Sequence, residues 1–164
     1  MSKTPIFKQI TQVAMVVKSV EVTAKRYWDD LGIGPWDFYT LDPSNTGEMR
    51  LRGEPVEHAF RAALTKVGDV SMELIEPLDD RSIYAEHLAE HGEGLHHVAF
   101  KVEDFEKTRQ HMKEKGYDEL QSGRTFNIGH YTYFDLDKGL GCIAEVGAGI
   151  GKGKTFPPAE KTYP

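Results

Sequence analysis

Alternation of apolar and polar residues marks two stretches of the chain as strands, and a helical pattern follows each. In the first, Val13, Met15 and Val17 share one face while Gln12, Ala14 and Val16 share the other. In the second, Val98, Phe100 and Val102 oppose His97, Ala99 and Lys101. Ser19 and Asp104 stand where helix N-caps belong, and Gly32 and Gly116 where helices should stop. This predicts helices from Val20 to Leu31 and from Phe105 to Lys115. Written one above the other, Gln12–Thr23 and His97–Thr108 are identical at five of twelve positions, where roughly one is expected by chance. The chain reads as a duplicated half.

The later parts of the halves also correspond. Ser71–Pro77 and Cys142–Val146 are short apolar strands, each interrupted by a glutamate, Glu73 and Glu145. The same offset pairs His58 with His130 and predicts matching preceding strands over Glu57–Val67 and Gly129–Leu136. Gly34–Gly53, rich in Gly, Pro, Asn and Asp, reads as one short strand (Phe38–Leu41) plus loop. A linker helix is expected around Ser82–His91, and the end of the chain reads as loop or disorder. The organisation expected is one domain over 1–164: module one 8–78, linker 79–94, module two 95–147, tail 148–164.

Composition narrows the partners. With 39% hydrophobic and 28% charged residues the chain is an ordinary globular protein. A formal charge of −6 argues against nucleic acid, whose phosphates demand clustered Lys and Arg. One cysteine, Cys142, precludes an internal disulfide and fits a reducing compartment. No apolar run approaches a membrane span of about 20 residues, and Met1–Gln9 lacks the apolar core of a signal peptide. A cytoplasmic protein without membrane or nucleic-acid partners is expected.

Glutamates inside apolar strands are costly unless paired or bound to a metal. Glu73 and Glu145 occupy equivalent repeat positions, and so do Gln12 and His97. Two-fold repetition brings equivalent positions together around a pseudo-axis, so these four side chains are predicted to meet. Three oxygens and one imidazole nitrogen suit a divalent Zn, Co, Ni, Mn or Fe ion better than Ca.

The stretch Met72-Glu-Leu-Ile-Glu-Pro-Leu78, followed by Ala89-Glu-His-Gly-Glu-Gly-Leu-His-His-Val-Ala-Phe100, resembles the methylmalonyl-CoA epimerases of the vicinal-oxygen-chelate superfamily. That superfamily also holds glyoxalase I, extradiol dioxygenases and the fosfomycin and bleomycin resistance proteins. The resemblance runs from Ile10 to Val146, and its metal ligands fall on Gln12, Glu73, His97 and Glu145. It implies an α+β fold of two βαβββ modules, an open eight-stranded barrel around the metal, and a homodimer. It also implies epimerisation or isomerisation by proton abstraction beside a carbonyl held at the metal, on a small carbonyl compound such as a CoA thioester. Glu145 is the expected base, with Glu57, Glu73 or His130 as the opposite acid or base. The family's non-ligand glutamate lies on the strand before the second ligand, near Glu57. The epimerases usually have histidine as first ligand. Gln12 makes the set Gln/Glu/His/Glu, as in zinc glyoxalase I, so a lactoylglutathione-lyase activity is the alternative. A non-catalytic small-molecule binder is the alternative of another class.

Two sharper-looking motifs fail on physical grounds. Ala148–Thr155 approaches a phosphate-binding loop, but Phe-Pro-Pro follows where a helix is required. His87-Leu-Ala-Glu-His91 matches a zinc-protease pattern, but reads as a solvated helix face.

Overall fold

A computed structural model describes residues 5–125, 129–136, 141–148 and 157–164. In chain order the elements are β1 (Gln9–Val16), α1 (Val20–Leu31), β2 (Trp36–Leu41), β3 (Thr46–Leu51), β4 (Glu54–Pro55), β5 (Phe60–Val67) and β6 (Val70–Pro77). There follow α2 (Ile83–His91), β7 (Gly94–Lys101), α3 (Phe105–Glu114), β8 (Glu119–Thr125), β9 (Gly129–Asp135), β10 (Ile143–Ala148) and β11 (Lys161–Tyr163). The strands form one open mixed sheet in the order β11-β2-β5-β6-β1-β7-β10-β9-β8-β3-β4. The fold is α+β, with two βαβββ modules curling into an open barrel.

The duplication is visible in the topology. β6 runs parallel to β1, and β10 parallel to β7. The two first strands, β1 and β7, join the halves antiparallel. Both repeat helices start as their sequences predict: Ser19 Oγ accepts from the Val22 N–H and Asp104 Oδ1 from that of Lys107. Gly32 ends α1 in the left-handed region (φ 65°), and its N–H reaches the Trp28 carbonyl.

The strand faces separate three apolar clusters. Val17 and Leu74 pack with α1, Trp36 and Phe38 on one outer face, and Phe134 and Val146 pack with Met112 of α3 on the other. The inner, concave face carries Ala14, Val16, Phe60, Ala62 and Ile75, closed at one end by Ile83 and Tyr84 of α2.

Two expectations are corrected. The 34–53 segment holds β3 in addition to β2, and β3 pairs with β8 of the other module. Its polar composition hid the strand: only Thr46 and Met49 are buried, and a bulge between Gly47 and Arg50 breaks the alternation. The end of the chain is also not all loop, because β11 pairs with β2 and covers a sheet edge. Glu160 fastens this join, its carboxylate accepting from the Thr40 N–H at 2.7 Å. The phosphate-loop-like run beyond Ala148 lies outside the described residues. Among the described residues no helix is long and apolar enough to cross a membrane.

Candidate metal centre

Four adjacent central strands, β6, β1, β7 and β10, each contribute one of the predicted side chains. The ladders arrange them in two rows on the concave face. Glu73, Ala14 and His97 lie side by side in one row, and Glu145, Ala99 and Gln12 in the other. The rows exchange under the pseudo-two-fold axis. Each has alanine in the middle, and both alanines are buried. The small side chains leave space beneath the larger ones.

Donor atoms of Glu73, His97 and Glu145 all lie within 4.8 Å of one another. His97 Nε2 is 2.8 Å from Glu145 Oε2 and 3.7 Å from Glu73 Oε2. Despite that short distance, neither His97 Nε2 nor Glu145 Oε2 has a partner in hydrogen-bonding alignment among the described residues. Burial, and then the Glu145 carboxylate, push the Glu73 carboxyl well above its ordinary range. Two half-buried carboxylates and an unpaired imidazole nitrogen facing one point are what a bound cation would satisfy. Gln12 lines a cavity with Glu73 and Glu145.

One participant was not foreseen. His96 Nδ1 lies 2.9 Å from His97 Nδ1, and both rings are buried. Neighbouring residues on a strand normally point to opposite faces. Here the β1–β7 ladder passes from Ala14/His97 to Met15/Leu95 and skips His96, a bulge that re-aims its ring. Thr11 is skipped in the same way just before Gln12. The bulges therefore obey the repeat, which is the signal that could have revealed them. Burial, then the charges of His97 and His87, hold the His96 pKa down to about 2, so its ring stays neutral. If His97 presents the Nε2 lone pair to a cation, its proton sits on Nδ1 and is donated to His96 Nδ1.

The other candidates fall elsewhere. Glu57 is exposed and does not line the cavity. The strand before Glu73 begins only at Phe60, and its cavity-lining residues are Phe60, Ala62 and Leu64, none of which titrates. His130 does line the cavity, half-buried. It is not the counterpart of His58. Leu64 faces Glu73 and Tyr133 faces Glu145, so the connection in the second module is three residues longer, and Arg61 occupies the position equivalent to His130. His58 is buried beside Gln121, whose Oε1 accepts from the Ile83 N–H at the start of α2. Trp36 and Phe38 are core. His87 is half-buried and His91 exposed, with rings 5.1 Å apart.

Residues 11–134 match the family model of the glyoxalase/bleomycin resistance protein/dioxygenase superfamily. The chain belongs to this superfamily. Within it, the chain is 26% identical over 116 residues to an ethylmalonyl-CoA/methylmalonyl-CoA epimerase of Cereibacter sphaeroides, covering 70% of this chain and 76% of that protein. It is 27% identical over 112 residues to a 4-hydroxyphenylpyruvate dioxygenase of Caenorhabditis elegans, covering 67% of this chain but 25% of the dioxygenase. Among solved superfamily structures, the methylmalonyl-CoA epimerase of Mycobacterium tuberculosis superposes with a TM-score of 0.63 at 21% identity, covering 90% of this chain and 91% of that one. A Streptomyces coelicolor methylmalonyl-CoA epimerase in complex with 2-nitronate-propionyl-CoA gives 0.66 at 20% identity, covering 85% and 96%. At such identities the two structures speak to the fold alone.

Proposed function

We propose that this protein is a divalent-metal-dependent epimerase or isomerase that removes a proton beside a carbonyl group, and that its substrate is a 2-substituted acyl thioester of the methylmalonyl-CoA kind. The observation that carries the reading is the meeting of Glu73, His97 and Glu145 donor atoms within 4.8 Å. Its support from relatives is the similarity to an ethylmalonyl-CoA/methylmalonyl-CoA epimerase. Glu73, His97 and Glu145, with Gln12, would hold the ion. A bound Zn, Co, Ni, Mn or Fe ion supplies Lewis acidity, which stabilises negative charge on a carbonyl oxygen as the adjacent C–H ionises.

The remaining work belongs to the chain. A Glu145 carboxylate oxygen takes the α-proton, and a proton from solvent returns to the opposite face of the same carbon; the His130 ring, beside Phe105 of α3, is not placed to deliver it. Loss from one face and gain on the other leaves the composition of the substrate unchanged. Leu41, Phe60 and Leu64 line the cavity with apolar surface and keep water from the carbanionic carbon. Glu57, exposed, takes no part.

The test combines metal analysis with deuterium wash-in at the α-carbon of racemic methylmalonyl-CoA. We expect about one divalent ion per chain and exchange that drops by at least roughly 100-fold in Glu145→Gln. A metal-loaded protein that exchanges nothing would remove the thioester reading. Activity on a glutathione hemithioacetal would then establish the glyoxalase-type reading, which Gln12 as first donor favours. A chain that retains no ion even after reconstitution would be a non-catalytic binder.

A further inference from the structure

The donor cavity is small, about 80 Å³, and Tyr131 lines it together with Glu73 and Glu145. The Tyr131 hydroxyl is buried and has no hydrogen-bond partner among the described residues. The hydroxyls of Tyr133 and Tyr84, in contrast, bond each other at 2.8 Å. An unsatisfied buried hydroxyl weakens a fold, so its presence calls for an explanation outside packing.

The neighbouring strand is shaped around this phenol. Gly123 lies directly across the ladder from Tyr131. A Cβ at Gly123 would fall 2.5 Å from Tyr131 Oη and 2.7 Å from Cζ. Gly123 is not in the left-handed region, so its backbone has no need of glycine; the space for the ring is the reason. Burial, and then the charges of Glu145 and Glu73, push the phenol above its ordinary range, so Oη carries its proton and acts as a donor.

We infer that Tyr131 is a substrate-binding residue whose hydroxyl donates a hydrogen bond to an oxygen of the substrate inside the donor cavity. The site then selects acyl compounds with a second oxygen function, a carboxylate foremost, beyond the reacting carbonyl. This rests on the reading of the donor cavity as the acyl site.

Isothermal titration of the metal-loaded protein with methylmalonyl-CoA, and separately with free methylmalonate, tests it in Tyr131→Phe and Gly123→Ala. Phenylalanine keeps the ring and removes only the hydroxyl. We expect Tyr131→Phe to bind at least about tenfold more weakly, with metal content unchanged and Tm unchanged or higher. Gly123→Ala, which displaces the phenol, should lose binding to a similar degree. A hydroxyl with a merely structural role would lower Tm in Tyr131→Phe and leave affinity alone; that result overturns the inference. Equal affinity of wild type and Tyr131→Phe for the thioester overturns it while leaving the proposed function intact. Hydroxyl-dependent binding of methylmalonate without binding of the thioester upholds the role of Tyr131 and removes the thioester. Binding of neither ligand to wild type overturns both.

Discussion

The Nδ1 atoms of His96 and His97 lie 2.9 Å apart, so one donates and the other accepts, and each fixes the tautomer of the other. His97 can offer Nε2 to a cation only while Nδ1 carries the proton, and His96 accepts that proton's hydrogen bond. His96→Phe keeps an aromatic ring against Tyr84 and His87 but offers no acceptor. We expect zinc or cobalt affinity to fall by about 10–100-fold, measured by competition with a chromophoric chelator. Unchanged affinity would mean that the pair does not orient His97. Residue chemistry of this kind is only half legible in sequence. The meeting of Glu73, His97 and Glu145 was legible because strand patterning and repetition both point to them. His96 and Tyr131 were missed because a bulge and a glycine on another strand determine what they do.

Elements show the same division between local and distant causes. The start of α1 was legible from Ser19, yet the Ser19 Oγ contact to the Val22 N–H is long, at 3.4 Å. Glu76 of β6 does more: its carboxylate accepts from the Val20 N–H at 2.9 Å, partly buried, and faces the positive end of the helix. Nothing local to α1 announces a cap 56 residues away. Ser19→Ala should therefore cost less than about 1 kcal/mol, and Glu76→Ala about 1.5–3 kcal/mol, the range of a charge-assisted bond. Chemical denaturation of both variants measures the order; a larger loss in Ser19→Ala would contradict it. Of the strands that escaped sequence reading, β3, β4, β8 and β11, the polar β3 and β11 escaped for a related reason. Both lie toward the ends of the sheet, where few side chains are buried and apolar alternation weakens. The helices and central strands, whose pattern is set by the core, were legible almost to the residue.

At the scale of the molecule the donor cluster sits on the seam of the duplication. Gln12 and Glu73 come from the first module, His97 and Glu145 from the second, and the β1–β7 ladder is the join. A cation at this point bridges the halves. Without one, the halves bring two carboxylates together in a half-buried place, which resists the close approach the fold imposes. One substitution separates these effects. Glu73→Gln retains shape and removes one charge, so the metal-free variant should melt above the metal-free wild type. Metal saturation, in turn, should stabilise the wild type by about 2.7 kcal/mol at a hundredfold excess over Kd, or roughly 5–10 °C in Tm for a chain of this size. Glu73→Gln, short of one anionic donor, should gain much less. The melting curves of the two proteins should thus cross in order: variant above wild type in chelator, wild type above variant in excess zinc. If chelation leaves the wild-type Tm unmoved, or if Glu73→Gln melts lower in both conditions, the carboxylates are held by packing and not poised for a cation.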